Sequence, residues 1–138
     1  MGGARGMSPW HAEEVPHEIT LTSIGSSPFL DLQNAPCWVE ISHDGQYLFA
    51  VNTASSTISR FSIATGGALT LLGSTPFAGG RVGPEDARLS PDGTTLWVVD
   101  AGANAVSGFS VEGSNLTELP SSPTPGPGGA SPSGIVVT

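Results

Sequence analysis

Glu85, Asp86 and Arg88 fall within a run of four residues, and Glu40 stands 48 positions before Arg88. A carboxylate can take a proton from water. A guanidinium can receive the charge that builds on a carbonyl oxygen when that water attacks. Hydrolytic opening of a cyclic ester needs both roles. Glu85, Asp86 and Arg88 are therefore the catalytic candidates, with Glu85, Asp86 or Glu40 as base and Arg88 or Arg81 as electrophile. Trp38, Glu40 and Arg81 are the ligand-binding candidates. The plain alternative is that these charges line a water-filled passage and pair with one another.

Other reactive residue types carry less. Cys37 is the only cysteine, so no intrachain disulfide forms. As a nucleophile it would need a histidine, and His43 lies roughly 20 Å away at about 3.3 Å per strand residue. Cys37 is expected to be a small buried side chain. Trp38 can stack on a sugar ring or pack between sheets. His11, Glu13, Glu14, His17 and Glu18 have metal-ligand types, but Pro16 interrupts any helix that would gather them, and their spacing matches no zinc pattern. No metal and no cofactor is expected, and residues 1–17 read as a mobile N-terminal segment. Asn115-Leu116-Thr117 is a glycosylation sequon, relevant to a secreted eukaryotic chain.

The elements that must position these groups are short. The 138 residues include nineteen glycines and twelve prolines, and only 12% are charged, a balance that favours brief strands and tight turns. The class is all-β. Four arginines, no lysine and twelve carboxylates give a net charge of -8, which repels phosphate backbones and argues against nucleic acid as a partner. No apolar run is long enough to span a membrane. Met1 to Glu14 lacks the apolar core of a signal peptide, which leaves localisation open because a parent protein can be exported.

Sliding the chain against itself by 48 residues places Pro36 on Pro84 and Pro132, Asp44-Gly45 on Asp92-Gly93, and Phe61 on Phe109. Over 36–65 against 84–113, nine of thirty positions are identical, and others exchange like for like, as Phe49 with Trp97. The same shift sets Gly25-Ser26-Ser27-Pro28-Phe29 on Gly73-Ser74-Thr75-Pro76-Phe77. A repeat of this length without helical periodicity predicts β-propeller blades, each a four-stranded antiparallel sheet. Alternation predicts strands at 36–42, 46–52, 57–63 and 68–73, and again at 84–90, 94–100, 105–111 and 115–119. Asp44-Gly45 and Asp92-Gly93 suit tight hairpins. The proline-rich stretch 120–134 aligns with 74–84 and reads as the crossing to a next inner strand at Ile135–Val137. The organisation is thus 1–17 terminal segment, 18–35 outer strand of a partial blade with its crossing, 36–83 blade, 84–131 blade, and 132–138 inner strand of a further blade. That is a partial ring of about 2.5 blades. In propellers the inner strands line a channel whose mouth takes ligands, which places the candidate residues there.

The segment Leu89-Ser90-Pro91-Asp92-Gly93-Thr94-Thr95-Leu96-Trp97-Val98-Val99-Asp100, with Ala105 to Val111, resembles the blade signature of the lactonase-like propellers with YVTN-type repeats, and Ile41 to Ile63 repeats it. The resemblance implies a ring of about seven blades in a family that includes 6-phosphogluconolactonases and propellers without a known reaction. No histidine stands beside Pro36, Pro84 or Pro132, and the lack of lysine leaves few groups to hold a sugar phosphate. The expected function is a ligand-binding or interaction scaffold of this family, completed by self-association or by a complementary propeller piece. The alternative is a lactone hydrolase with its site at the channel mouth, and the expected ligand is a small lactone or sugar-like molecule. Two chains could form a six-bladed ring.

Overall fold

The computed structural model describes residues 20–80, 83–126 and 132–138. Two antiparallel sheets follow one another. The first runs β1 (Pro36–Ile41), β2 (Tyr47–Asn52), β3 (Thr57–Ile63) and β4 (Leu69–Pro76) in that order. The second runs β5 (Pro84–Leu89), β6 (Thr95–Asp100), β7 (Ala105–Glu112) and β8 (Asn115–Glu118), with a two-residue β9 (Thr124–Pro125) also pairing with β7. These are two propeller blades one repeat apart. The predicted strands agree within one residue at most ends. The exception is β4, which continues through Pro76 because Ser74, Thr75 and Pro76 keep pairing with Ser59, Ile58 and Thr57.

The turns show why the repeat is conserved in register. Gly45 (φ 71°) and Gly93 (φ 73°) adopt the left-handed backbone that a side chain disfavours. The hairpins are wider than a two-residue turn, however. Ser42 N donates to Tyr47 O at 2.9 Å and Gly45 N to Ser42 O at 2.8 Å, and Ser90, Thr95 and Gly93 repeat both bonds at 2.8 Å. In each, the serine hydroxyl bonds the aspartate, Ser42 Oγ to Asp44 Oδ1 and Ser90 Oγ to Asp92 Oδ1, both 2.6 Å. The working unit is Ser-x-Asp-Gly. Ser56 (φ 51°) and Asn104 (φ 49°), also 48 apart, turn β2 into β3 and β6 into β7.

The core lies between the sheets. Period-two alternation sends Phe49 and Val51 of the first blade toward the second, whose Leu96 and Val98 face back, and all four are fully buried. Ala87, Leu89 and Phe109 complete this layer, and Phe77, from the crossing after β4, meets Phe109 edge-on with ring centroids 5.2 Å apart. Burial of each large apolar side chain here contributes about 1.5–3 kcal/mol. At one end of the first blade Asn52, buried, donates to Thr57 Oγ1 (3.1 Å) and Ser59 Oγ (2.9 Å), and Thr57 and Ser59 reach Gln33 and Asp31.

One expectation is corrected. Cys37 is exposed, because it falls in the irregularity between Pro36 and Trp38 and no further sheet packs on that side of β1 among the described residues. Residues 132–138 join no ladder. Within the crossing over 120–134, Thr124 and Pro125 pair with Val106 and Ala105 as Thr75 and Pro76 pair with Ile58 and Thr57. Residues 1–17 lie outside the described residues.

Candidate functional site

The site residues come from the two inner strands, β1 and β5, which lie side by side at the junction of the blades. Glu40 faces Phe49 across its ladder and so points into the junction. Its Oε1 is 3.2 Å from Arg88 Nη1, and its Oε2 accepts from Leu89 N at 3.4 Å. The carboxylate is largely shielded, with its side chain 13% exposed, whereas the Arg88 side chain is 46% exposed. One face of the guanidinium is therefore tied down and the remainder is open to solvent. A pair so exposed adds only about 0.2–1 kcal/mol to stability, so its main effect is orientation.

β5 is irregular where the other candidates sit. Its pairing with β6 jumps from Pro84–Asp100 to Ala87–Val98, leaving Glu85 and Asp86 in a bulge that re-aims both side chains. Asp86 is buried and its two oxygens are engaged: Oδ1 accepts from Ala87 N and Oδ2 from Ile135 N, each at 2.8 Å. It ties the 132–138 segment to the second blade. Glu85 is half-buried, and its carboxylate has no hydrogen-bond partner among the described residues. Trp38 lies on β1, 40% exposed. Arg81 lies outside the described residues, as do His11, Glu13, Glu14, His17 and Glu18.

The structure thus brings Glu40 and Arg88 into contact, gives Asp86 a tethering position, and leaves Glu85 the one inner-strand carboxylate without a partner among the described residues. No group of three potential metal ligands gathers among the described residues. His43 is remote from Cys37. It sits in the β1–β2 turn with Nδ1 3.0 Å from where a Cβ on Gly93 would stand. With Asp44, Tyr47 and Asp92 it borders a cavity of about 220 Å³ at the turn end of the blades, which the sequence had not marked. The Ser90 hydroxyl, then the Thr94 amide and hydroxyl, hold Asp92 down to about 2, and Ser42 and the Gln46 amide lower Asp44. Both carboxylates are spent on closing turns. The sequence also missed the buried polar row Asn52, Ser59, Asp100 and Ser107, although its members recur 48 residues apart inside apolar strands.

Residues 13–132 match the family described as lactonase, 7-bladed beta-propeller. No curated protein matches the chain. Among solved structures, a Bacteroides fragilis protein provisionally described as a 6-phosphogluconolactonase superposes with TM-score 0.62 at 22% identity, over 71% of this chain and 27% of the other. A Lactobacillus plantarum protein gives TM-score 0.59 at 31% identity, over 65% and 28%. The periplasmic gluconolactonase of Pseudomonas aeruginosa gives 0.53 at 22%, over 60% and 25%. The chain therefore spans little more than a quarter of the proteins it resembles.

Proposed function

The chain belongs to the lactonase family of seven-bladed β-propellers, and from that premise we propose that its two blades supply part of a lactone-binding and lactone-hydrolysing site at the inner-strand junction. The observation that carries this reading is an oriented cation three residues along β5 from an unengaged carboxylate. Arg88, steadied by Glu40 at 3.2 Å, keeps its outer face in solvent, and Glu85 projects from the bulge three residues earlier without a partner among the described residues. Arg88 receives the developing oxyanion and Glu85 draws the proton from the attacking water, whose oxygen bonds to the acyl carbon; the bond from that carbon to the ring oxygen then breaks, and Glu85 returns the proton to the ring oxygen, which leaves as a hydroxyl. Trp38, exposed on the neighbouring strand, offers an apolar face to a sugar ring. With no lysine in the chain, Arg88 tied to Glu40 and Arg60 tied to Ser114 and Asn115, few cations among the described residues remain for a phosphate, which favours an unphosphorylated lactone.

The test is hydrolysis of a sugar δ-lactone followed by acid release. Arg88→Ala lowers kcat/KM by about 10²-fold or more, and Glu85→Gln by about 10²-fold or more. A rate untouched by both substitutions removes this site. The second reading, a ligand-binding scaffold without turnover, rests on Asp86, whose oxygens are both committed to backbone amides. It predicts saturable lactone binding that Arg88→Ala weakens, with no acid released.

A further inference from the structure

The repeat makes the junction between the blades a template for a second junction. The face of the second blade that meets the first consists of Ala87 (1% exposed), Leu89 (5%), Leu96, Val98 and Phe109 (each 0%). The residues 48 positions earlier, Val39, Ile41, Leu48, Ala50 and Phe61, form the outward face of the first blade. There Val39 is 54% and Ile41 51% exposed, whereas Ala50 (5%) and Phe61 (3%) are buried, and Val39, Leu48, Ala50 and Phe61 border a cavity of about 360 Å³ with Phe29. The opposite partner is also present twice. Phe49, Val51 and Ile58, which seal the existing junction, recur as Trp97, Val99 and Val106 on the far side of the second blade. One chain therefore carries both halves of the same apolar contact at its two ends.

We infer that copies of this chain associate head to tail, the outward face of the first blade docking through its exposed Val39 and Ile41 on the far face of the second blade of another copy (Trp97, Val99, Val106), in competition with the chain's own residues 132–138. The competition follows from register. Pro132, Ile135 and Val137 stand 96 positions after Pro36, Val39 and Ile41, and these three are the half-buried members of the segment. Ile135 is bound to Asp86 Oδ2, so the segment occupies the berth on β5 that the inner strand of an incoming copy requires. A contact between unlike surfaces propagates until rotation closes it, and propellers close at roughly four to eight blades, which corresponds to about two to four copies. The charge of -8 per chain opposes the association, so added salt strengthens it.

Sedimentation of the full chain, followed against concentration, tests this. The expected result is reversible assembly to a small closed multiple, tighter at higher salt. Val39→Asp with Ile41→Asp, at positions already half in solvent, abolishes assembly and leaves the far-ultraviolet strand spectrum intact. Ile135→Gly with Val137→Gly frees the berth and tightens assembly by about tenfold. A folded monomer at every concentration in all three proteins overturns the inference. So does assembly that survives the paired aspartates, and a loss of affinity on loosening 132–138 overturns the competition.

Discussion

The two blades carry the same pattern in opposite circumstances. At the inner strand of the first, Val39 and Ile41 are half exposed, while their counterparts Ala87 and Leu89 are 1% and 5% exposed. What differs is the neighbour and only secondarily the side chain, since an apolar residue in a repeat array is stabilised by the next sheet as much as by its own. A second difference is compensated within the sheet. Phe49 pairs with Arg60 in the first blade, and Trp97 pairs with Gly108 in the second. A larger ring is matched by the absence of a side chain opposite it: a Cβ on Gly108 would stand 2.8 Å from Trp97 and 3.0 Å from Leu119. Arg60 instead reaches out of its own sheet to Ser114 O and Asn115 Oδ1 of the second blade, both at 3.3 Å.

Four measurements probe this comparison. The largest effect is expected for Phe109→Ala, which opens the sealed junction and costs about 3–5 kcal/mol in denaturant unfolding. Phe61→Ala, at the same place beside the open cavity, costs clearly less, and equal losses would mean that the two faces are equally supported. Next, Gly108→Ala forces a shift of the Trp97 ring and costs about 1–3 kcal/mol, and most of that returns in the double variant with Trp97→Phe, which restores the pairing size of the first blade. If the double variant is no better than the single one, the exchange of size is not what relates the blades. Smaller again, Arg88→Ala changes stability by no more than about 1 kcal/mol, because the Glu40 pair is exposed on the arginine side, while the proposed lactone hydrolysis falls by about 10²-fold or more.

The smallest effect is an acid limb. The hydrogen bonds to Asp92 hold it at about 2 in the folded chain, below its ordinary 3.8, so its contribution is complete above about pH 4 and is lost as pH falls through about 2. Asp92→Asn flattens that limb. Asp44→Asn acts in the same direction but less, because Gln46 has no hydroxyl to add to the bond that Thr94 Oγ1 gives Asp92. A flattening as great at Asp44 would show that the Thr94 hydroxyl adds nothing.

The fold was legible in the sequence because its determinants are local and recur at a fixed offset. Asp44-Gly45 and Asp92-Gly93 located the hairpins, and alternation located eight strands. What the sequence withheld depends on neighbours. Nothing within 36–41 tells that Cys37 will face solvent in a bulge, or that Trp38 and Asp86, at equivalent positions, will differ so much in burial. Ser42 and Ser90 were visible as identical pairs, but their part in closing the turns rests on a bond to the strand residue five positions on. The candidate site was legible as residue types only. That Glu40 would meet Arg88, and that Asp86 would be spent on Ile135, are contacts across 48 and 49 residues that no spacing rule supplies.

Phe77 lies in the sequence copy that builds the first sheet, yet its ring is keyed into the core of the second against Phe109. The structural module is therefore out of phase with the written repeat. An excised or duplicated copy cut at Pro84 would leave its own keystone behind. A cut ahead of Phe77 would carry the keystone along with the sheet it supports.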